Sequence, residues 1–167
     1  MRISMFVIAL AGLACVTGCA HSKAFTHPIG IRFVQIPAGT VESEKLDLQM
    51  LQPFLISARE ITNEQYAKFK PDYQPAQSSP GPTYPVANAT AADAEAFCRW
   101  LTDNDTQGRI YRLPQWDEWQ YAASGGLDYR TYPWGNAISR RSACYQATKA
   151  MPVGSFKPNG YGLYDAA

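Results

Sequence analysis

The chain has 167 residues, of which 46% are hydrophobic and 17% are charged, and its formal net charge is +1. This composition is typical of a globular domain with its own core and excludes a largely disordered chain. No basic cluster stands out, so the composition also argues against a nucleic-acid-binding protein. Twelve glycines and twelve prolines favour a loop-rich mixed fold over a helical bundle.

The first eighteen residues have the pattern of a targeting segment, which we exclude from the predicted fold. Arg2 gives the N-terminal region a positive charge, and the apolar run over residues 6–16 is shorter than a typical transmembrane helix. The run VTGC at positions 16–19 resembles a bacterial lipobox. This resemblance implies cleavage before Cys19 and lipid attachment to it. An ordinary secretory signal and a coincidental cysteine are the alternatives.

Acyl chains on Cys19 would anchor the mature chain in a membrane, since each buried methylene contributes roughly 0.8 kcal/mol. Ala20 follows the cysteine, which by the usual enterobacterial sorting pattern indicates an outer-membrane lipoprotein facing the periplasm. Residues 19–30 have no periodic pattern and are predicted to be a tether. Because His21 and His27 both lie in it, we expect neither a histidine triad nor a zinc site in the core.

Two strands and a short helix are predicted in the first half of the mature chain. Residues 31–36 alternate weakly between apolar and polar side chains, and residues 53–60 form a second strand-like run. Thr62 or Asn63 has the short polar side chain that begins a helix, which ends near residue 70. The following stretch, up to residue 85, is rich in proline, serine and glycine and is predicted to be a surface loop.

A longer helix is predicted over residues 91–104. Thr90 is a suitable N-cap, with the carboxylate of Asp93 three residues on. The helical spacing predicts a buried face made of four side chains, namely Ala94, Phe97, Cys98 and Leu101.

The most informative stretch is YRLPQWDEWQYAASGG, at residues 111–126. It predicts a short strand, a break at Pro114 and a helix over residues 115–124 that ends at two glycines. Trp116, Trp119 and Ala123 share one helical face, which indicates a core-facing aromatic surface.

Several of these runs together resemble the formylglycine-generating enzyme family, also called sulfatase-modifying factors. The matching runs are EITNEQY at 60–66, DAEAFCRWL at 93–101, the stretch 111–126, YPWG at 132–135 and PNGYGLYD at 158–165. The resemblance extends from about residue 33 to residue 165. It implies an α+β, loop-rich single domain of the C-type-lectin-like kind over residues 31–167, lacking the C-terminal third of the family.

The same resemblance bears on catalysis and metals. Family catalysis uses two cysteines of that C-terminal third to hold copper(I), which soft thiolates suit, and no equivalent pair is present. The residues corresponding to a family calcium site, 136–152, include neither aspartate nor glutamate, although calcium prefers carboxylate ligands. We therefore predict no catalytic residues, no metal site and no cofactor.

Two sets of candidate residues remain. Cys15 would leave with the targeting segment and Cys19 would be acylated, so Cys98 and Cys144 are a candidate disulfide in an oxidising compartment, with two buried free thiols as the alternative. The second set consists of aromatic loop residues that form a candidate surface for a peptide or glycan, with core packing as the alternative: Tyr132, Trp134, Tyr161 and Tyr164.

These expectations favour a lipid-anchored, non-catalytic family member that serves as a binding or assembly component at the cell envelope, with a protein or peptide partner. The alternative is a formylglycine-generating oxidase that matures sulfatases, if the chain is truncated or a second chain supplies the missing third. Strands that normally pair with that third would leave exposed edges, which a homodimer could cover.

Overall fold

The computed structural model describes residues 5–10, 24–42, 48–127, 132, 134, 136, 142–145 and 147–166. Within these ranges six strands precede two helices, a seventh strand and a third helix, and all strand pairs are antiparallel, which confirms the predicted α+β class. In chain order the elements are β1 (Ile8–Leu10), β2 (Ala24–Thr26), β3 (Arg32–Ile36), β4 (Gly39–Glu42), β5 (Leu48–Leu51), β6 (Phe54–Ser57), α1 (Asn63–Phe69), α2 (Ala91–Asp103), β7 (Ile110–Arg112) and α3 (Trp116–Ser124).

Five of the strands form one antiparallel sheet in the order β2-β3-β6-β1-β7. β4 and β5 form a separate two-stranded hairpin. Within the large sheet, Ile8 of β1 lies opposite Ile56 of β6 on one side and Arg112 of β7 on the other. β1 therefore joins the outer strand β7 to the rest of the sheet.

The core consists of two apolar clusters, one on each face of this sheet, because successive side chains of a strand point to opposite faces. The first cluster packs α1 and α2 against the sheet and includes Phe33, Tyr66 and Phe97. The second packs α3 and the C-terminal loop against the other face and includes Ile56 and Leu163.

The N-terminal segment differs most from the sequence-based prediction. Residues 1–18 were expected to take no part in the fold, yet Phe6, Val7 and Ile8 are at most 1% exposed and belong to the core. The reason is that a continuous apolar run suits a central strand that is buried on both faces. A targeting role for this segment stays a prediction, and Cys19 lies outside the described residues.

The predicted tether over residues 19–30 is also wrong in part. Residues 24–26 pair with β3 as an edge strand, and the Phe25 ring stacks on the Phe33 ring at a centroid distance of 4.7 Å. His27, expected in an exposed tether, is only 4% exposed. The apolar side chain of Phe25 and the turn after it bring this segment onto the sheet.

Helix α2 confirms its prediction in detail. The Thr90 hydroxyl accepts a hydrogen bond from the Asp93 backbone N–H at 3.1 Å, and the Asp93 carboxylate accepts one from the Thr90 N–H at 3.0 Å. All four side chains predicted for the inner face are buried. Each of these features depends on residues close together in the chain.

Helix α3 forms where it was predicted, but its inner face is different. Trp116 is 52% exposed, and the buried residues of the helix are Glu118 and Ala122. The aromatic face was therefore wrong at its first residue. The cause is an ion pair between Glu118 and the preceding strand, which turns that side of the helix inward.

Candidate functional site

The ion pair that positions α3 joins Arg112, at the end of β7, to Glu118 in the first helical turn. Both guanidinium Nη atoms donate to the Glu118 carboxylate, at 2.6 and 2.5 Å. The backbone N–H of Gln115 donates to the same carboxylate at 2.8 Å. A planar two-point contact of this kind fixes orientation as well as distance.

The protonation states of this pair are set by its surroundings. Burial opposes ionisation of Glu118, but the hydrogen bonds from Arg112 and from the Gln115 N–H outweigh it, so the pKa of the carboxyl lies below its usual value. The pKa of Arg112 is raised, chiefly by its hydrogen bonds to Glu118. Glu118 is therefore a charged structural group rather than a general acid or base near neutral pH.

The run PNGYGLYD ends α3 through the side chain of Asn159. Its amide nitrogen donates to the carbonyls of Ala122 and Ala123 at 2.8 and 3.2 Å. Its amide oxygen accepts from the backbone N–H groups of Tyr161 and Leu163, both at 3.0 Å. One side chain thus binds two carbonyls at the end of the helix, where such groups lack intrahelical partners, and also fixes the loop around it.

Close backbone contact explains the glycines at this junction. Gly125 has φ of +63°, and a Cβ atom there would lie 2.7 Å from the Cβ of Asn159 and 2.8 Å from the backbone nitrogen of Gly160. A side chain at Gly125 would therefore have neither a favourable backbone conformation nor the space it needs. The loop and the helix end can approach this closely only because position 125 has no side chain.

The four aromatic residues of the candidate binding surface have different environments. Tyr132 and Trp134 stack in parallel, with ring centroids 5.6 Å apart, and Trp134 is 37% exposed. Tyr161 instead packs against the Tyr121 ring at 5.6 Å, and their hydroxyls are 3.2 Å apart. The ring of Tyr164 lies under the Arg59 guanidinium, 4.6 Å from its centroid.

These contacts divide the predicted surface into two kinds of residue. Tyr161 and Tyr164 help to hold the C-terminal loop on the fold, which is the packing role that was the alternative for them. Tyr132 and Trp134 form a stacked aromatic pair with one exposed ring, which is the geometry of a platform for a flat or apolar ligand group.

The two cysteines of the described part are both free, and the predicted disulfide between them is absent from this structure. Cys98 is buried on the inner face of α2, where burial and the nearby charge of Glu95 raise the pKa of its thiol to about 12. Cys144 is exposed and contacts the carbonyl of Lys149. The two thiols therefore lie in unlike environments, one in the core and one on an exposed loop.

The same environments show whether Cys98 and Cys144 could replace the two family cysteines that hold copper(I). Copper(I) needs deprotonated thiolates that can approach one ion together. The thiol of Cys98 is neutral and enclosed in the core, whereas the thiol of Cys144 lies at the surface. These two residues do not fit a copper site. Across the described ranges, no group of three histidine, cysteine, aspartate or glutamate side chains could hold a metal ion.

A buried polar cluster that sequence reasoning missed surrounds His27. Its Nδ1 accepts a hydrogen bond from the Ile29 N–H at 3.3 Å, and its ring meets the Tyr111 ring edge-on at a centroid distance of 5.6 Å. Its Nε2 has no hydrogen-bond partner among the described residues. Burial is the main influence on its pKa and lowers it, while the charges of Asp105 and Arg109 act in opposite directions. No periodic pattern in the sequence predicts that His27 is buried.

Fold and sequence together define the class of protein. The family model for the sulfatase-modifying factor enzyme 1-like domain matches residues 23–167, so the chain belongs to this family. The solved structure of PvdO from Pseudomonas aeruginosa has a TM-score of 0.65 at 21% identity, with 86% of this chain and 70% of that chain covered. At this level of identity the likeness shows the fold alone.

Two curated relatives illustrate the range of the family. The formylglycine-generating enzyme of Thermomonospora curvata is 37% identical in an alignment of 102 positions that covers 52% of this chain and 31% of the relative. The inactive Cα-formylglycine-generating enzyme 2 of Bos taurus is 38% identical in an alignment of 96 positions that covers 49% of this chain and 29% of the relative. The matched region thus spans less than a third of either relative. Their names describe one active and one inactive protein, so family membership alone does not establish an activity.

Within the described ranges, no helix is long and apolar enough to cross a membrane.

Proposed function

We propose that this protein is a lipid-anchored, non-catalytic member of the sulfatase-modifying factor family that serves as a binding or assembly component at the bacterial cell envelope. The observation that carries the non-catalytic part is the contrast between Cys98 and Cys144. One thiol is neutral in the core and the other is exposed on a loop. They supply no thiolate pair for a soft metal ion.

The anchoring part of the proposal is supported by the sequence. The run VTGC at positions 16–19 follows a short apolar stretch and a positively charged start, as in lipoprotein leaders. Lipid on Cys19 would place the folded domain at the periplasmic face of the outer membrane. The stacked pair of Tyr132 and Trp134 then supplies an aromatic contact for a protein or peptide partner.

Cell fractionation of two single-cysteine variants tests the anchor. Cys19→Ser removes the acceptor sulfur, and we expect the chain to leave the membrane fraction or to accumulate uncleaved. Cys15→Ser, four residues earlier, is the matched control and is expected to fractionate like the unchanged protein. Cys19→Ser protein that is cleaved and stays in the membrane fraction would contradict the anchor.

An oxidation assay tests the absence of catalysis. The purified chain is supplied with copper(I), oxygen and a cysteine-containing peptide, and the peptide mass is followed with a formylglycine-generating enzyme as the positive control. We expect the peptide to keep its cysteine. Conversion to formylglycine would overturn the non-catalytic proposal.

The second candidate function is that of a formylglycine-generating oxidase. The 37% identity to the enzyme of Thermomonospora curvata favours it. It requires that a further segment or a second chain supply the two cysteines that hold copper(I). In this case the oxidation assay would become positive only when that segment or chain is added.

A further inference from the structure

The position of β1 in the large sheet is enclosed on every side. β6 pairs with it along one edge and β7 along the other. Met5, Val7 and Ala9 belong to the cluster under α1 and α2, whereas Phe6 and Ile8 belong to the cluster under α3. Five consecutive side chains are thus at most 2% exposed.

Most of the contacts that hold this segment do not depend on the identity of a particular side chain within it. The Ser57 N–H donates to the Val7 carbonyl at 2.8 Å, and the Ile61 N–H donates to the Met5 carbonyl at 2.9 Å. The Val7 N–H donates to the Ser57 hydroxyl at 3.1 Å. The segment itself contributes backbone groups and apolar side chains to these contacts. Any extended strand with apolar residues on both faces could make them.

Processing before Cys19 would remove this strand. The step rests on the proposed function, because it follows from lipid attachment to Cys19. Without β1, the five-stranded order leaves β7 with no neighbour and opens both core clusters between β6 and β7. The unpaired backbone groups of β6 and β7 would then face an apolar gap one strand wide.

We propose that this gap is a strand-acceptor site. Residues 5–10 occupy it before processing, and an extended apolar segment of a partner protein occupies it afterwards. The partner segment runs antiparallel to both β6 and β7, is about six residues long, and has apolar side chains on both faces. Main-chain hydrogen bonds provide the binding and exclude proline, which lacks the N–H group, and the two apolar clusters select against charged residues.

An exchange experiment on the full chain tests this site. A specific protease sequence is placed within residues 12–18, Cys15, Cys19 and Cys144 are replaced by serine, and the purified chain is cut. A fluorescent peptide containing residues 5–10, with flanking lysines for solubility, is then added. We expect the peptide to displace the cut segment and to bind with a stoichiometry of one.

A proline variant of the peptide is the matched control. Val7→Pro removes the N–H that donates to Ser57 and places a proline inside a sheet. We expect it to bind about 100-fold more weakly. Equal binding of the two peptides would overturn the proposal, because it would mean that the label binds outside the sheet.

A disulfide clamp locates the binding. Ile8 lies opposite Ile56, next to the hydrogen-bonded pair of Val7 and Ser57, so the two Cα atoms are close enough for a disulfide. The oxidised variant Ile8→Cys/Ile56→Cys should bind no peptide after cutting and should bind it again after reduction. The proposal is overturned if the cut chain releases its segment, keeps its thermal midpoint and binds no peptide.

The outcome is independent of the anchor. The exchange experiment uses protein that carries no lipid, so a strand-acceptor site can be found even if Cys19 proves not to be acylated. Conversely, a membrane-anchored chain that binds no peptide would refute the acceptor site and leave the proposed anchor intact.

Discussion

Two segments from opposite ends of the chain complete the core in different ways. β1 enters the middle of the sheet and is held by backbone hydrogen bonds and apolar side chains. The C-terminal loop depends on specific side-chain contacts, above all those of Asn159, which makes four hydrogen bonds across the end of α3. Both segments are well packed, but only the second depends on a particular residue.

This difference shows that a segment can be fully buried without requiring a particular residue at each position. A strand that contributes apolar surface and main-chain groups can be exchanged for another of the same pattern. A loop that fits Gly125 at close contact and satisfies helix carbonyls through Asn159 has few substitutes. The comparison therefore predicts that β1 tolerates conservative changes and that the C-terminal loop does not.

The largest effect is expected at Ile8. Ile8→Asp in the unprocessed chain would bury an unpaired charge at a position with no exposed surface and should cost about 4 kcal/mol of unfolding free energy. Ile8→Val should cost about 1 kcal/mol, because the strand keeps its apolar pattern. Urea denaturation of protein made without export measures both. Equal losses for the two variants would contradict the view that β1 is specified only by its apolar pattern.

A smaller loss is expected at Asn159. Asn159→Ala removes four hydrogen bonds at a partly buried site and should cost about 2 kcal/mol. Asn159→Asp keeps the two acceptor contacts and loses the donors, so it should fall between the alanine variant and the unchanged protein. Amide exchange at the end of α3 would locate the change. An alanine variant as stable as the unchanged protein would remove the basis of the comparison.

Thr90 provides a local reference that involves neither segment. Thr90→Ala removes the cap of α2 and should cost about 1 kcal/mol. Thr90→Ser keeps the hydroxyl and should recover most of this loss. Thermal denaturation of both variants sets the scale against which the losses at Ile8 and Asn159 are judged. A loss for Thr90→Ala as large as that for Ile8→Asp would contradict a purely local cap.

The smallest effect at neutral pH is expected at His27. Its pKa in the folded protein is lowered from 6.5, mainly by burial, so the folded state stays neutral where the unfolded chain takes up a proton. Stability should therefore be unaffected well above pH 6.5 and should fall as the pH drops below it. His27→Phe should lose stability less steeply between pH 7.5 and pH 5. Parallel pH profiles of the two proteins would contradict this assignment.

The sequence predicts best the elements whose causes are local. The cap and inner face of α2 follow from residues within a few positions of each other, and all were confirmed. The inner face of α3 was predicted incorrectly at Trp116, because Arg112 and Asn159 lie outside the helical repeat that was considered. The orientation of α3 depends on contacts with residues outside the helix, which the periodicity of its own residues cannot predict.

The same distinction holds for the candidate site. An apolar N-terminal run fits both a leader and a central strand, and nothing in the sequence predicts the partners that Val7 and Ile8 have in the sheet. The pairing of Cys98 with Cys144 was predicted from the number of cysteines, which does not indicate that one is buried and the other exposed. His27 was placed in a tether because nothing near it in the sequence predicts its contact with Tyr111.

The central claim is that the mature protein begins at Cys19, carries lipid there and has lost β1. The intact mass of the protein extracted from membranes tests it most directly. The account predicts a mass in which the chain starts at Cys19 and bears acyl chains, with residues 1–18 absent. A chain that still starts at Met1 would contradict it and would make β1 a permanent strand of the fold.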